Sequence, residues 1–381
     1  MRPIRIAMVA GEASGDLLAS HLIAALREHL PDAQFFGIGG PKMMAQGFDA
    51  WWLSEALAVR GYVEVLRHYR SISSIRSQLG KRLLASPPDI FIGVDAPDFN
   101  LGLEADLKRH GITTIHYVSP SIWAWRGNRI RKIAKAVSRV LALFPMEPPL
   151  YEKEGIPVTY VGHPLADLIP LETNKLAVRE MLCLPPAAPI FALLPGSRQS
   201  ELQYMADTFV QTAKLIRDRH MPNAQFVVPL ATRETRLLFE AAIYRQQAND
   251  VPFRLLFGHA QEAMGAADVS LVASGTATLE AALIKRPLAV TYKMSPGSYW
   301  LMKRMGYLPY VGLPNILAGR MLVPEILQDD ATPEKLAETL LQLYADKEGA
   351  AAMHEAFTDI HLQLRQNTAE KAAAAVLACL P

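Results

Sequence analysis

The sequence predicts a doubly wound parallel α/β protein built as two domains whose sheets face each other across a cleft. Three observations carry this. Short apolar runs alternate with stretches of helical period, the pattern of strands joined through crossover helices in a parallel sheet. The alternation restarts after a proline- and turn-rich passage at residues 165–188. With 381 residues, 50% hydrophobic and 20% charged, the chain is folded and too long for one ordinary core. The expected division is a first domain at 1–168, a second at 169–345, and helices at 346–381. Those helices would pack back on the first domain or on a partner subunit.

Strands are expected at 4–10, 34–38, 89–94, 113–118, 137–144 and 158–161 in the first half. In the second half they are expected at 190–194, 225–229, 253–256, 269–273 and 287–292. After Thr332-Pro333, a good N-cap and first-turn pair, the chain reads as helical to its end. Open α/β sheets bind ligands where loops leave the carboxyl ends of strands. The informative residues are therefore those that follow each apolar run.

The strongest such loop lies in AADVSLVASGTATLEAAL at 266–283. A strand breaks at Ser274-Gly275-Thr276 and resumes as a helix, which leaves the first helical N–H groups unpaired at the positive end of the helix dipole. Such an end suits a phosphate. Gly275 lets backbone approach a ligand, Ser274 and Thr276 add hydroxyls, and Glu280 one turn on can accept from sugar hydroxyls. An ordinary capped βα turn fits these residues alone equally well. Arg198, after Pro-Gly-Ser, can hold a diphosphate bidentately or pair with Glu201 on the first helical turn.

In the first half, Asp95 and Asp98 directly follow a strand, where a carboxylate can act as general base on a hydroxyl. The competing reading is a cap and a solvated side chain. Glu12, Ser14 and Asp16 form a weaker loop, since Asp16 can simply cap a helix. Trp123 and Trp125 read more readily as anchoring aromatics, and His116 and His163 as structural histidines. Asn315 and Arg320 in LPNILAGR are not singled out by their chemistry.

A net charge of +2 argues against a nucleic-acid partner. Two lone cysteines, Cys183 and Cys379, argue against a disulfide framework or zinc site and fit a reducing, cytoplasmic compartment. No window reaches 18 uninterrupted apolar residues. Two stretches are locally basic: 65–88 carries five Lys/Arg and no acid, and 126–139 carries six and no acid. The first, with Val63, Val65, Leu66, Arg67, Tyr69, Arg70 and Ile72 and with Trp51-Trp52 upstream, fits an anionic membrane surface. For the second, a membrane face and a solvated face packed on its own sheet stand level.

Seven segments together resemble the lipid-A-disaccharide synthase family: VAGEASGD (9–16), GIGGPKM (37–43), GVDAPDFN (93–100), IHYVSPSIWAWR (115–126), LLPGSR (193–198), SGTATLE (274–280) and LPNILAGR (313–320). The resemblance runs over essentially the whole chain. SGTATLE alone indicates a nucleotide-sugar transferase; HYVSPSIWAWR with DAPDFN is far more specific. The resemblance implies the GT-B architecture of two Rossmann-like domains. It implies an inverting transfer from UDP-2,3-diacylglucosamine to 2,3-diacylglucosamine 1-phosphate, without metal or other cofactor, giving a β-1,6 disaccharide phosphate and UDP. It also implies a homodimer attached peripherally to the cytoplasmic face of the inner membrane.

Carried onto this sequence, the base is Asp95, with Asp98 its neighbour or rival. The UDP-sugar contacts are Arg198, Ser274, Gly275, Thr276, Glu280 and Asn315, and Glu12, Ser14, Asp16 and Arg320 are weaker candidates. Relatives carry a more continuously apolar docking helix at 61–79; here Arg60, Ser71, Ser73 and Ser74 dilute it. The rival readings are another UDP-N-acetylglucosamine enzyme of the same architecture, or an idle nucleotide-sugar sensor.

Overall fold

The computed structural model describes residues 2–57, 62–124, 127–273, 275–295, 297, 299–300, 304, 306 and 308–380, without the side chains of 62–69 and 128. It divides into two compact units, Met1–Asp167 with Gln363–Pro381, and Leu168–Leu362.

The first unit carries strands β1 (Arg5–Ala10), β2 (Gln34–Gly39), β3 (Asp49–Leu53), β4 (Ile90–Val94), β5 (Thr113–Tyr117), β6 (Arg139–Ala142) and β7 (Val158–Tyr160). All pair in parallel in the order β3-β2-β1-β4-β5-β6-β7. The crossover helices are α1 (Ala13–His29), α2 (Pro41–Ala45), α3 (Tyr62–Ala85), α4 (Pro97–Arg109), α5 (Ile130–Ala136), α6 (Pro148–Glu152) and α7 (Pro164–Leu168). The central strands are buried on both faces, which is why they read as continuous apolar runs. One face packs α1 through Ala19, Leu22 and Leu26; the other packs α3 and α4 through Leu79, Leu83, Leu103 and Leu107.

The second unit carries β8 (Ile190–Leu194), β9 (Gln225–Leu230), β10 (Phe253–Phe257), β11 (Val269–Ala273), β12 (Leu288–Tyr292) and β13 (Glu325–Leu327). They form a parallel sheet in the order β10-β9-β8-β11-β12-β13. Its helices are α8 (Lys175–Met181), α9 (Gln199–Arg219), α10 (Arg233–Arg245), α11 (Ala260–Ala266), α12 (Thr276–Ile284), α13 (Leu313–Ala318), α14 (Pro333–Ala345) and α15 (Lys347–Leu364). The last helix, α16 (Thr368–Leu377), belongs to the first unit, where Ala372, Ala373 and Val376 join the core beside α1.

Two strands differ from expectation. β3 and β13 are half-exposed edge strands of five and three residues: β3, DAWWL, carries a short apolar run that the expected strands leave out, and β13 is too short to show a period. Trp51, expected beside a membrane-facing helix, is instead built into β3. Its ring stacks on Phe36 at 4.8 Å, Arg82 lies over it at 3.5 Å, and its Nε1 donates to Asp49.

Candidate active site

In each sheet the strand order reverses at one point, between β1 and β4 and between β8 and β11. A doubly wound sheet opens its ligand crevice there, because the flanking crossovers leave on opposite faces. The loops after these four strands are the ones that hold Glu12–Asp16, Asp95, Arg198 and Gly275.

In the second unit these loops line a cavity of about 580 Å³. Arg198, Gly275, Thr276, Ala277 and Glu280 lie on its wall. Gly275 is the N-cap of α12 at φ 139°, with open space where a Cβ would stand and no side chain capping the helix. The N–H groups that open α12 therefore face the cavity as an uncapped positive end. The neighbouring α9 is different. Glu201 turns back and accepts from the backbone N–H of Ser197 and Arg198 at 2.9 and 3.1 Å, so that helix end already holds its own carboxylate. Its guanidinium neighbour Arg198 stays 79% exposed, 3.9 Å from Glu201. An anion entering this cavity thus meets α12 and Arg198. Glu280 is half-buried, and burial raises its pKa above the ordinary carboxylate value. No hydrogen-bond partner takes its carboxyl among the described residues. Tyr292, Met294 and Tyr299 complete an aromatic and thioether side of the wall that the sequence did not single out.

Asn315 sits behind this wall rather than on it. It is fully buried; its amide donates to Val323 O and Glu325 Oε1 and accepts from Leu322 N and Val323 N, all within 2.9 Å. Glu325 in turn accepts from Val311 N and Gly312 N. Every polar atom of the Asn315 side chain is spent on holding the start of α13. Ser274 lies outside the described residues, and Arg320 is exposed, away from the cavity.

In the first unit, the turn after β4 places Asp95 at φ 52° and Ala96 at φ 43°, two consecutive non-glycine residues in the left-handed region. Such backbone is strained by roughly 1–3 kcal/mol per residue and persists only where the surroundings hold it. Here Asp95 N donates to Tyr117 O at 2.8 Å, and Asn100 Nδ2 donates to Asp95 O at 2.8 Å. Among the described residues, no partner takes the Asp95 carboxylate. Asp98, by contrast, is 85% exposed and ion-paired with Arg129. The two candidates thus separate: one free and braced, one paired and solvated. Asn100, quoted only as part of a motif, is the brace.

Glu12 and Ser14 are exposed in the adjacent loop. Asp16 is buried and accepts from Gly40 N, Lys42 N and Met43 N, so it is spent on the GGPKM turn; a Cβ on Gly40 would meet its carboxylate at 2.6 Å. On β5, opposite Gly93, His116 Nδ1 lies 2.7 Å from Glu104 Oε1, and both side chains are fully buried.

On α3, Val63, Val65, Leu66, Arg67 and Tyr69 have side chains outside the described residues. Arg70 is exposed, while Ile72 packs against the core under α3 and so is a sheet-facing residue rather than a membrane-facing one. In the second basic stretch, Arg129 pairs with Asp98 and Arg139 donates to Thr159 and Cys379, so both are engaged within the unit. Among the described residues no helix is long and apolar enough to cross a membrane, and none of the His, Cys, Asp and Glu side chains gather as a metal cluster.

A family model described as lipid-A-disaccharide synthetase matches residues 6–378. The chain is 77% identical over 377 residues to a lipid-A-disaccharide synthase of Dechloromonas aromatica, covering 99% of both chains. It is 61% identical over 373 residues to one of Azoarcus, covering 98% and 95%. Among solved structures, the glycotransferase of kitacinnamycin matches with a TM-score of 0.66 at 16% identity over the full length of both. A UDP-GlcNAc 2-epimerase of Neisseria meningitidis bound to UDP-GlcNAc matches with a TM-score of 0.63 at 14% identity, over 99% of both. These distant likenesses speak to the fold alone, which is GT-B. With the family model and the close relatives spanning nearly every residue, the chain belongs to the lipid-A-disaccharide synthase family and is a glycosyltransferase of lipid A biosynthesis.

Proposed function

We propose that the enzyme transfers 2,3-diacylglucosamine from its UDP conjugate to O6 of 2,3-diacylglucosamine 1-phosphate, with inversion at the anomeric carbon. The single observation that carries this reading is the uncapped N-terminus of α12 at Gly275, opening with Arg198 and Glu280 onto one cavity. In this reading Arg198 and the first N–H groups of α12 hold the diphosphate. They neutralise the charge that grows on UDP as the glycosidic bond breaks. Glu280 accepts from the ribose hydroxyls, and Ser274 and Thr276 contribute hydroxyl donors. Asn315 acts by positioning, through α13, rather than by touching the ligand.

On the acceptor side, Asp95 takes the proton from the attacking hydroxyl, and Glu12 and Ser14 of the neighbouring loop contact the sugar. An inverting displacement needs one base and an oxocarbenium-like transition state, the logic shared with inverting hydrolases. Helix ends and a guanidinium supply the leaving-group stabilisation that a metal provides elsewhere.

The test is release of UDP from UDP-2,3-diacylglucosamine, with and without the acceptor and in EDTA. Release that needs the acceptor and is indifferent to EDTA is the expected result. Release from unacylated UDP-N-acetylglucosamine alone would remove the substrate assignment and leave the family standing.

A further inference from the structure

We propose that Glu147 is a positioning residue for the acceptor side of the transfer, clamping the 118–123 loop to the end of β6 and so fixing the strand end on which Asp95 hangs. The inference rests on the reading of Asp95 as the base.

Glu147 follows β6 and is only 1% exposed. Its Oε2 accepts from the backbone N–H of Leu143 and Phe144, each at 3.0 Å, which closes the turn after the strand. Its Oε1 accepts from Trp123 Nε1 at 3.0 Å, and the buried Ser119 hydroxyl lies within hydrogen-bond reach. Ser119 also meets the hydroxyl of the fully buried Tyr151 at 2.7 Å. One carboxylate therefore ties the chain after β5 to the chain after β6, and several donors converge on it.

The clamped loop is under strain. Val118, a β-branched residue, stands at φ 79°, which such residues adopt only when held there. One residue earlier, Tyr117 O accepts the Asp95 N–H. Strain at Val118 is thus held on one side by the sheet, through Val118 N to Leu141 O at 3.1 Å, and on the other by Glu147. Releasing the Trp123 end lets that strain relax toward the Tyr117–Asp95 bond. A plain capping residue would need only the two backbone bonds; the reach to Trp123 and Ser119 is what a cap does not require.

The groups that face Glu147 are Trp123 and Ser119 from the loop, Tyr151 from α6 and Tyr160 from β7; Asp167 acts in turn on Tyr160 and His163. Burial pushes Glu147 up to about 7, against the hydrogen bonds that pull it down. Ionised, it accepts from every donor around it. Protonated, it turns an O–H toward one of them and the clamp loosens.

The experiment compares Glu147→Gln and Trp123→Phe with the native enzyme. It measures kcat and KM for each substrate between pH 5.5 and 9, together with thermal melting. In Glu147→Gln the amide oxygen can keep the two backbone N–H groups, while its NH2 opposes Trp123 Nε1. The expected result is a folded protein whose kcat/KM for the acceptor falls about 10- to 100-fold, with the donor KM unchanged, as a small misplacement of a reacting group gives. The limb of the native pH profile near 7 disappears in it, and Trp123→Phe reproduces the loss. Native acceptor kinetics and an unaltered pH profile in Glu147→Gln overturn the proposal. If that variant does not fold, native acceptor kinetics and pH profile in Trp123→Phe overturn it. Full turnover by Asp95→Asn would instead sink the underlying reading of the site.

Discussion

Asp95 and Asp98 show how much a single backbone turn decides. They are three residues apart and chemically identical, yet one has a carboxylate without a partner among the described residues, on a braced, strained turn, and the other is spent on Arg129 in solvent. We expect Asp95→Asn to lower kcat by about 10²–10⁴-fold, the usual contribution of a general base. Asp98→Asn should change it by much less, since an exposed ion pair contributes about 0–1 kcal/mol. Steady-state UDP release measures both. Two buried residues near the 118–123 loop give a pH prediction of opposite signs. Burial holds His163 down at about 4, so the unfolded chain binds the extra proton below 6.5 and stability is lost as pH falls from 6.5 toward 4. Glu147, raised to about 7, does the reverse: the folded chain keeps its proton, and stability falls as pH rises from 4.5 to 7. Each gap corresponds to roughly 3 kcal/mol, so the two nearly cancel in the native protein. Denaturant melts at pH 5 and 7 should show stability rising with pH in Glu147→Gln and falling with pH in His163→Gln.

At the scale of an element, the contrast between α9 and α12 is the instructive one. Both helices start at the switch point of the second sheet, and both follow a Gly-containing turn. Glu201 fills the end of α9, while α12 is left open. Gly275→Val places a branched side chain at φ 139°, in backbone that only glycine adopts without strain, and at the mouth of the helix end. We expect the donor KM to rise at least tenfold with the melting temperature lowered by a few degrees, read by donor titration and calorimetry. Asn315→Ala tests a structural element instead. It removes four hydrogen bonds from a fully buried site and strands the N–H groups of Leu322 and Val323. A loss of about 2–4 kcal/mol of stability is expected in denaturant melts. The donor KM should rise only as α13 loosens.

For the molecule as a whole, the surface of the first unit points to a membrane partner. Helix α3 carries exposed basic residues on the outer side of its sheet-packed face, Arg70 among them, and 65–88 holds no acid. We expect the enzyme to sediment with vesicles containing anionic lipid, and the bound fraction to fall as salt is raised from 50 to about 500 mM. Equal binding to neutral vesicles at every salt concentration would remove the electrostatic part. We expect a homodimer in solution, checked by sedimentation equilibrium.

The fold class, eleven of the strands and the four loops at the switch points follow from the amino-acid sequence alone. Strands buried on both faces must be continuous apolar runs, and the turns after them must carry Gly, Pro or a short polar residue. It also carried the family resemblance, because motifs spread over the chain record which loops must meet. It did not show β13, which has only three residues, or β3, whose Trp51-Trp52 pair reads as readily as the flank of the basic stretch that follows. Nor could it divide polar residues into those that face ligand and those that brace the fold. Asp16 and Asn315 look like ligand contacts in a string of letters, yet Asp16 is consumed by the backbone N–H groups of Gly40, Lys42 and Met43, and Asn315 by Leu322, Val323 and Glu325. Glu147 and Asn100 look unremarkable and turn out to hold the loops in place. A side chain's hydrogen-bonding capacity is fixed by its chemistry. Which groups use it is fixed only when the chain closes in three dimensions and buried polar atoms must find partners.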